Sequence, residues 1–174
     1  MKAASALMVG MGVLAVLVFS VAPPGGNAVA QPDSLKEQLV GAWRYVSATT
    51  VGPDGNREAM FGSNPQGLAI FDRNGAYALL VTRSDLPKFA SNNRMTGTAE
   101  EYRSIAQGSI AHFGLYTVDE AAKTITFRVE TSSFPNWNGI EQKRPFSLQG
   151  DELRWTTPGA SGGGTGEIVL KRVR

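Results

Sequence analysis

No cysteine occurs in the 174 residues, which excludes disulfide bonds, thiol nucleophiles and cysteine-ligated zinc together. Histidine is nearly as scarce. His112 is the single one, so a Ser-His-Asp arrangement would have to use it, and a multi-histidine metal site is excluded. Charged residues make up 18% of the chain and almost cancel, 17 basic against 15 acidic. With no block of Lys or Arg and no basic amphipathic helix, nucleic acid and anionic membrane surfaces are discounted as partners. The glycine-rich "GASGGGTG" is followed by a strand pattern rather than a helix, so it lacks the amide geometry of a phosphate loop. Glu130 and Glu141 flank one connection, but their spacing defines no paired-carboxylate geometry. No cofactor and no metal are expected.

What is present points to one all-β domain. Hydrophobic residues at 42% permit a core, and 20 glycines separate short β-rich runs with turn signals. The first thirty residues stand apart from the fold. Lys2 precedes the apolar run "ALMVGMGVLAVLVFSVA", then "PPGG" and Ala28-Val29-Ala30, which together match an export signal with a small-residue cleavage site. Residues 1–30 are therefore expected to be a cleaved signal peptide, leaving a domain over 31–174 in the periplasm or secreted. An uncleaved anchor is the alternative, and it is the one expected route to a membrane.

In the mature chain, "PDSLKEQLV" reads as a short helix with capping-type residues at its start. Strand patterns follow at "AWRYVSATTV", a short "REAMF", "LAIFD" and "AYALLVT". Asn74-Gly75 between two apolar runs signals a hairpin. The polar stretch 83–97 leads into "TAEEYRSIAQ", where Thr98 and Glu101 form a capping box for a second short helix. "SIAHFGLYTV", "TITFRVETSS", "PFSLQ", "LRWTT" and "EIVLKRV" complete eight or nine strands. Joined mostly by short turns, they predict an antiparallel up-and-down barrel, whose closure removes exposed edges. Alternation of connections in such a meander predicts that "GSNPQG", the helix-bearing segment, "FPNWNGIEQKR" and "PGASGGGTG" share one end, beside the start of the first strand and Trp43. The tight turns, "GPDGN" among them, are predicted at the other end.

The tripeptide Gly41-Ala42-Trp43 resembles the Gly-x-Trp signature of lipocalins and their calycin relatives. With "NPQGLAIFDRNGAY", "PKFAS", "QGSIAHFGLY", "FPNWNG", "QKRPFSLQGDELRWT" and "PGASGGGT", nearly the whole mature chain resembles the bacterial lipocalin-like domain family. The resemblance implies that Trp43 closes the barrel base under a basic residue of the last strand, with Lys171 and Arg172 the nearest candidates and Arg172 preferred. A cation over that ring would gain about 0.5–2 kcal/mol. It also implies a non-catalytic binder of a small hydrophobic or amphipathic molecule.

Barrels of this size either fill with side chains or leave room for one small ligand. The inward phase of Tyr77, Leu79, Val81, Ile110, His112, Gly114, Tyr116, Leu153 and Trp155 would build a mostly apolar lining, or else a packed interior with no cavity. Arg83, Lys88, Phe89, Trp137, Asn138 and Arg144 are candidates for a polar and aromatic rim around an entrance. The alternative is that Phe134 and Trp137 anchor a loop and the cations are solvated. His112 is a candidate general base or haem ligand, or a satisfied core residue. The competing function is an isomerase or cyclase using His112, Tyr116 and Arg83 for acid–base work and anion stabilisation. A filled barrel that binds a protein partner is the third.

Overall fold

The computed structural model describes residues 34–174, so the expected signal peptide lies outside the described residues. Helix α1, Leu35–Leu39, starts on a capping box: the Ser34 hydroxyl accepts from the Glu37 N–H, and the Glu37 carboxylate accepts from the Ser34 N–H. The strands are β1 Gly41–Val51, β2 Arg57–Ala59, β3 Gln66–Phe71, β4 Ala76–Thr82, β5 Ser109–Asp119, β6 Thr124–Ser132, β7 Glu141–Gln149, β8 Glu152–Thr157 and β9 Thr165–Arg172. Helix α2, Ala99–Gly108, lies between β4 and β5 and carries the expected Thr98–Glu101 capping box. Neighbouring strands are antiparallel in sequence order, and β9 returns to pair with β1 from Trp43 to Val51. The sheet is thus a closed barrel. Among the described residues no helix is long and apolar enough to cross a membrane.

Two short strands share one position in the wall. Both β2 and β3 run antiparallel to β1, β2 against Thr49–Val51 and β3 against Gly41–Arg44. Residues 60–65 therefore interrupt a strand without reversing the chain, and the barrel has eight wall positions. This corrects the expected layout of the ends. Trp43, α1 and the turns after β3, β5 and β7 gather at one end. The "GPDGN" turn, the α2 segment, "FPNWNG" and "PGASGGGT" gather at the other, so Trp43 sits opposite the long excursions and not beside them.

Inward-facing side chains alternate along the longer wall strands, as the pleat requires. Phe127, with no exposed surface, is the hub: its ring lies 4.7 Å from Tyr77, 6.0 Å from Phe71 and 6.0 Å from Trp155, in edge and tilted contacts. At the base, Trp43 is completely buried and its indole N–H donates to the Leu39 carbonyl at 2.8 Å. The Arg172 guanidinium covers the ring at 4.2 Å and donates to the Val40 carbonyl at 3.0 Å and to that of Gln38. Gly41, at φ +125°, lets the chain turn from α1 into β1 beneath that guanidinium. Further up the wall, a Cβ on Gly114 would stand 2.1 Å from the Arg128 carbonyl oxygen, so only glycine fits where β5 and β6 slip register.

Candidate functional site

The long-loop end holds an open cleft of about 870 Å³, walled by Tyr102 and Ile105 of α2, Phe134, and Met60, Phe61 and Ile110 below. Helix α2 is positioned by its ends. Glu101 accepts from the Ala90 N–H at 2.8 Å as well as serving the capping box, and the Arg83 N–H donates to the Gly108 carbonyl at 2.8 Å. Beneath the cleft lies an inner chamber of only about 30 Å³, the volume of roughly one water. Met60, Phe61, Ile110 and Ser161 line both spaces, so they form the shared wall between them. The residues expected to line an interior cavity instead pack largely on one another. Room for a ligand lies above the core.

Three of the candidates chosen from the sequence, His112, Trp137 and Arg144, line the inner chamber, and a fourth, Tyr77, reaches His112 from beside it. Tyr77 Oη lies 2.8 Å from His112 Nδ1, and His112 Nε2 lies 3.5 Å from Arg144 Nη2. Trp137 meets the imidazole edge-on at 5.6 Å. Both imidazole contacts are hydrogen bonds when Nδ1–H donates to Tyr77 and Nε2 accepts from Arg144. Burial, and secondarily the charge of Arg144, pushes the His112 pKa down to about 3. The ring is therefore neutral at physiological pH and too weak a base for general-base work near neutrality. Burial likewise raises the phenols of Tyr77 and Tyr45 well above their ordinary range.

Arg144 departs most from its expected place. It was assigned to a rim, with a strand beginning at Pro145; β7 starts at Glu141, and Gln142, Arg144, Phe146 and Leu148 alternate inward. Only 3% of Arg144 is exposed, and its guanidinium stacks 4.6 Å from the Phe127 ring and 5.7 Å from Trp155. Pro145 is tolerated because β7 changes neighbours there, pairing with β6 from Glu141 to Pro145 and with β8 from Phe146 to Gln149. Burial lowers the Arg144 pKa to about 10, against an opposing influence of Tyr45 and Tyr77, and the group stays charged at neutral pH.

The remaining candidates are not brought to the chamber. Arg83 is exposed and paired with Asp85 at 2.8 Å, Lys88 is exposed, and Phe89 packs against Tyr102 at 5.7 Å. Asn138 braces its own loop by accepting from the Ser132 N–H at 2.7 Å. Tyr116 lies toward the base and donates to the Asp72 carbonyl at 2.9 Å. His112, Tyr116 and Arg83 therefore do not form the acid–base constellation expected of an enzyme, and among the described residues no group of three potential metal ligands converges. Met60, Phe61 and Gln142 were missed. The first two had a readable signal, an apolar pair beside a turn cluster; Gln142 had none until β7 was extended.

Residues 40–168 match the family of lipocalin-like domains. Over 83 residues the chain is 32% identical to the 4'-hydroxy-3'-methoxypropiophenone carrier protein of Aspergillus oryzae, an alignment spanning 44% of this chain and 75% of that protein. Among solved structures, a lipocalin-like protein from Bacteroides uniformis is 14% identical, with a TM-score of 0.43 over 78% of this chain and 98% of that one. An uncharacterized protein from Bacteroides eggerthii is 13% identical, with a TM-score of 0.42 over 78% and 99%.

Proposed function

Because this chain belongs to the lipocalin-like domain family, we propose that it binds and carries a small, mainly apolar molecule in the cleft at its long-loop end, without chemically changing it. The observation that carries this reading is the cleft itself: about 870 Å³, with Met60, Phe61, Tyr102, Ile105, Ile110 and Phe134 on its walls beside polar groups such as Glu58, Gln107 and Ser109, within the range of small-molecule sites. The similarity to a carrier of an aryl ketone supports an aromatic cargo. Titration calorimetry with 4'-hydroxy-3'-methoxypropiophenone is expected to give saturable one-to-one binding. Ala106→Trp, placed on an exposed α2 position that lines the cleft, should weaken it about tenfold or more with an unchanged unfolding midpoint. No saturable binding of this or related aryl ketones, or full affinity in the variant, would refute the reading.

The same reading places the carrier outside the cytoplasm, supported by the signal-like pattern of residues 1–30. Mass spectrometry of the exported protein is expected to find Gln31 at its N-terminus. Retention of Met1 on an exported protein would show an uncleaved anchor instead of a cleaved signal, and a protein confined to the cytoplasm counts against export.

A further inference from the structure

Three buried side-chain nitrogens find no hydrogen-bond partner among the described residues: Gln142 Nε2, Arg144 Nε and Trp155 Nε1. All three are N–H donors, and no buried side-chain oxygen is orphaned with them. They sit on adjoining stretches of β7 and β8, where Phe146 pairs with Trp155. The Arg144 guanidinium lies against both the Phe127 and Trp155 rings, and Arg144 and Trp155 both line the inner chamber. Orphaned buried donors cost stability, and more so for a charged group. The ion pairs among the described residues join other side chains, and none gives Arg144 a carboxylate. Its resolved partners are neutral: the Gln142 Oε1 at 2.5 Å and His112 Nε2 at 3.5 Å. A buried cation ringed by unused donors is complementary to an anionic oxygen.

We propose that Arg144 and Trp155, which line the chamber, with Gln142 holding the Arg144 guanidinium from beside it, form an oxyanion subsite beneath the cleft, so that the preferred cargo is an aromatic molecule bearing an ionised oxygen, a carboxylate or a phenolate. The inference rests on the cleft being the ligand site and specifies the cargo's polar end. The chamber is too small for a ring and has room for about one oxygen atom, so a charged oxygen can reach into it while the rest of the molecule stays in the cleft above. Met60 stands in the shared wall, and its unbranched side chain can shift aside to admit the head group. Neutral His112 fits this role, since a protonated imidazole and Arg144 would repel one another.

The test compares 2-naphthoate with its neutral counterpart of similar shape, 2-acetylnaphthalene, by calorimetry at neutral pH, and adds 4-nitrophenol across its ionisation, which falls near neutrality, where Arg144 stays charged. The wild-type protein is expected to bind the carboxylate about tenfold or more tighter than the ketone, and 4-nitrophenol more tightly as it ionises. Arg144→Met should abolish the preference for the anion, lowering carboxylate affinity far more than ketone affinity, and Trp155→Phe, which removes one N–H with little change of shape, should reduce it. If the ketone binds and the wild type shows no preference for either anion, the subsite is overturned and the cleft stands. If none of the three binds, the cleft and the subsite both fall. Should Arg144→Met fail to fold, the wild-type comparison and Trp155→Phe still decide the matter.

Discussion

Trp43→Ala is expected to lower the unfolding free energy by about 3–5 kcal/mol, the range for deleting a fully buried large aromatic. The position has no exposed surface, so the lost ring leaves a void that the surrounding strands can fill only in part. Two polar groups also lose their arrangement. The Leu39 carbonyl loses the indole donor at 2.8 Å, and the Arg172 guanidinium loses the ring it covers at 4.2 Å. For a domain of this size the melting temperature should fall by roughly 10–15 °C, as measured by circular dichroism. Trp43→Phe, which retains a ring but no N–H, should cost less. A loss below about 1 kcal/mol for the alanine variant would mean that this ring does not close the base.

Acid should destabilise the protein through His112 before the carboxylates titrate. The unfolded chain binds a proton at this residue near pH 6.5, whereas the folded protein resists protonation until about pH 3. Between those values the unfolded state holds more protons, so stability falls as pH falls. From pH 7 to 4.5 the expected loss is about 2–3 kcal/mol. The carboxylates held below their ordinary range, Glu37, Asp85, Glu101 and Glu167, lose their contribution only at lower pH, as protonation passes through their depressed folded values. Urea unfolding at the two pH values should show this slope in the wild type and a nearly flat response in His112→Gln, whose amide can still reach Tyr77. A wild-type protein equally stable at both values would contradict the burial of a neutral imidazole.

Much of the scaffold was legible in the chain because local chemistry and the final fold agree there. Asn74-Gly75 makes the expected hairpin, Thr98 and Glu101 cap α2 as read, and the Gly41–Trp43 motif meets Arg172 at the base. The reading failed where a local signal had two physical outcomes. "GSNPQG" carries turn residues, yet the chain there pauses and continues in the same direction, a distinction that depends on how β1 divides its hydrogen bonds between β2 and β3. Pro145 suggested a strand boundary, which moved Arg144 from the interior to the rim. Its missing N–H is harmless only because β7 changes neighbours at that residue. The volumes of the two spaces were not legible at all, since packing density is a property of the assembled side chains.

The interrupted wall position bears on how such a protein can diverge. Ser63 and Asn64 are exposed and take part in neither the β2 nor the β3 ladder with β1, so lengthening or trimming the chain there sacrifices no strand pairing. Insertions and deletions are tolerated best at such points. Because Met60 and Phe61 flank this stretch and shape the floor of the cleft, lineages can resize the lip residue by residue while the opposite pole, pinned by Trp43, stays unaltered.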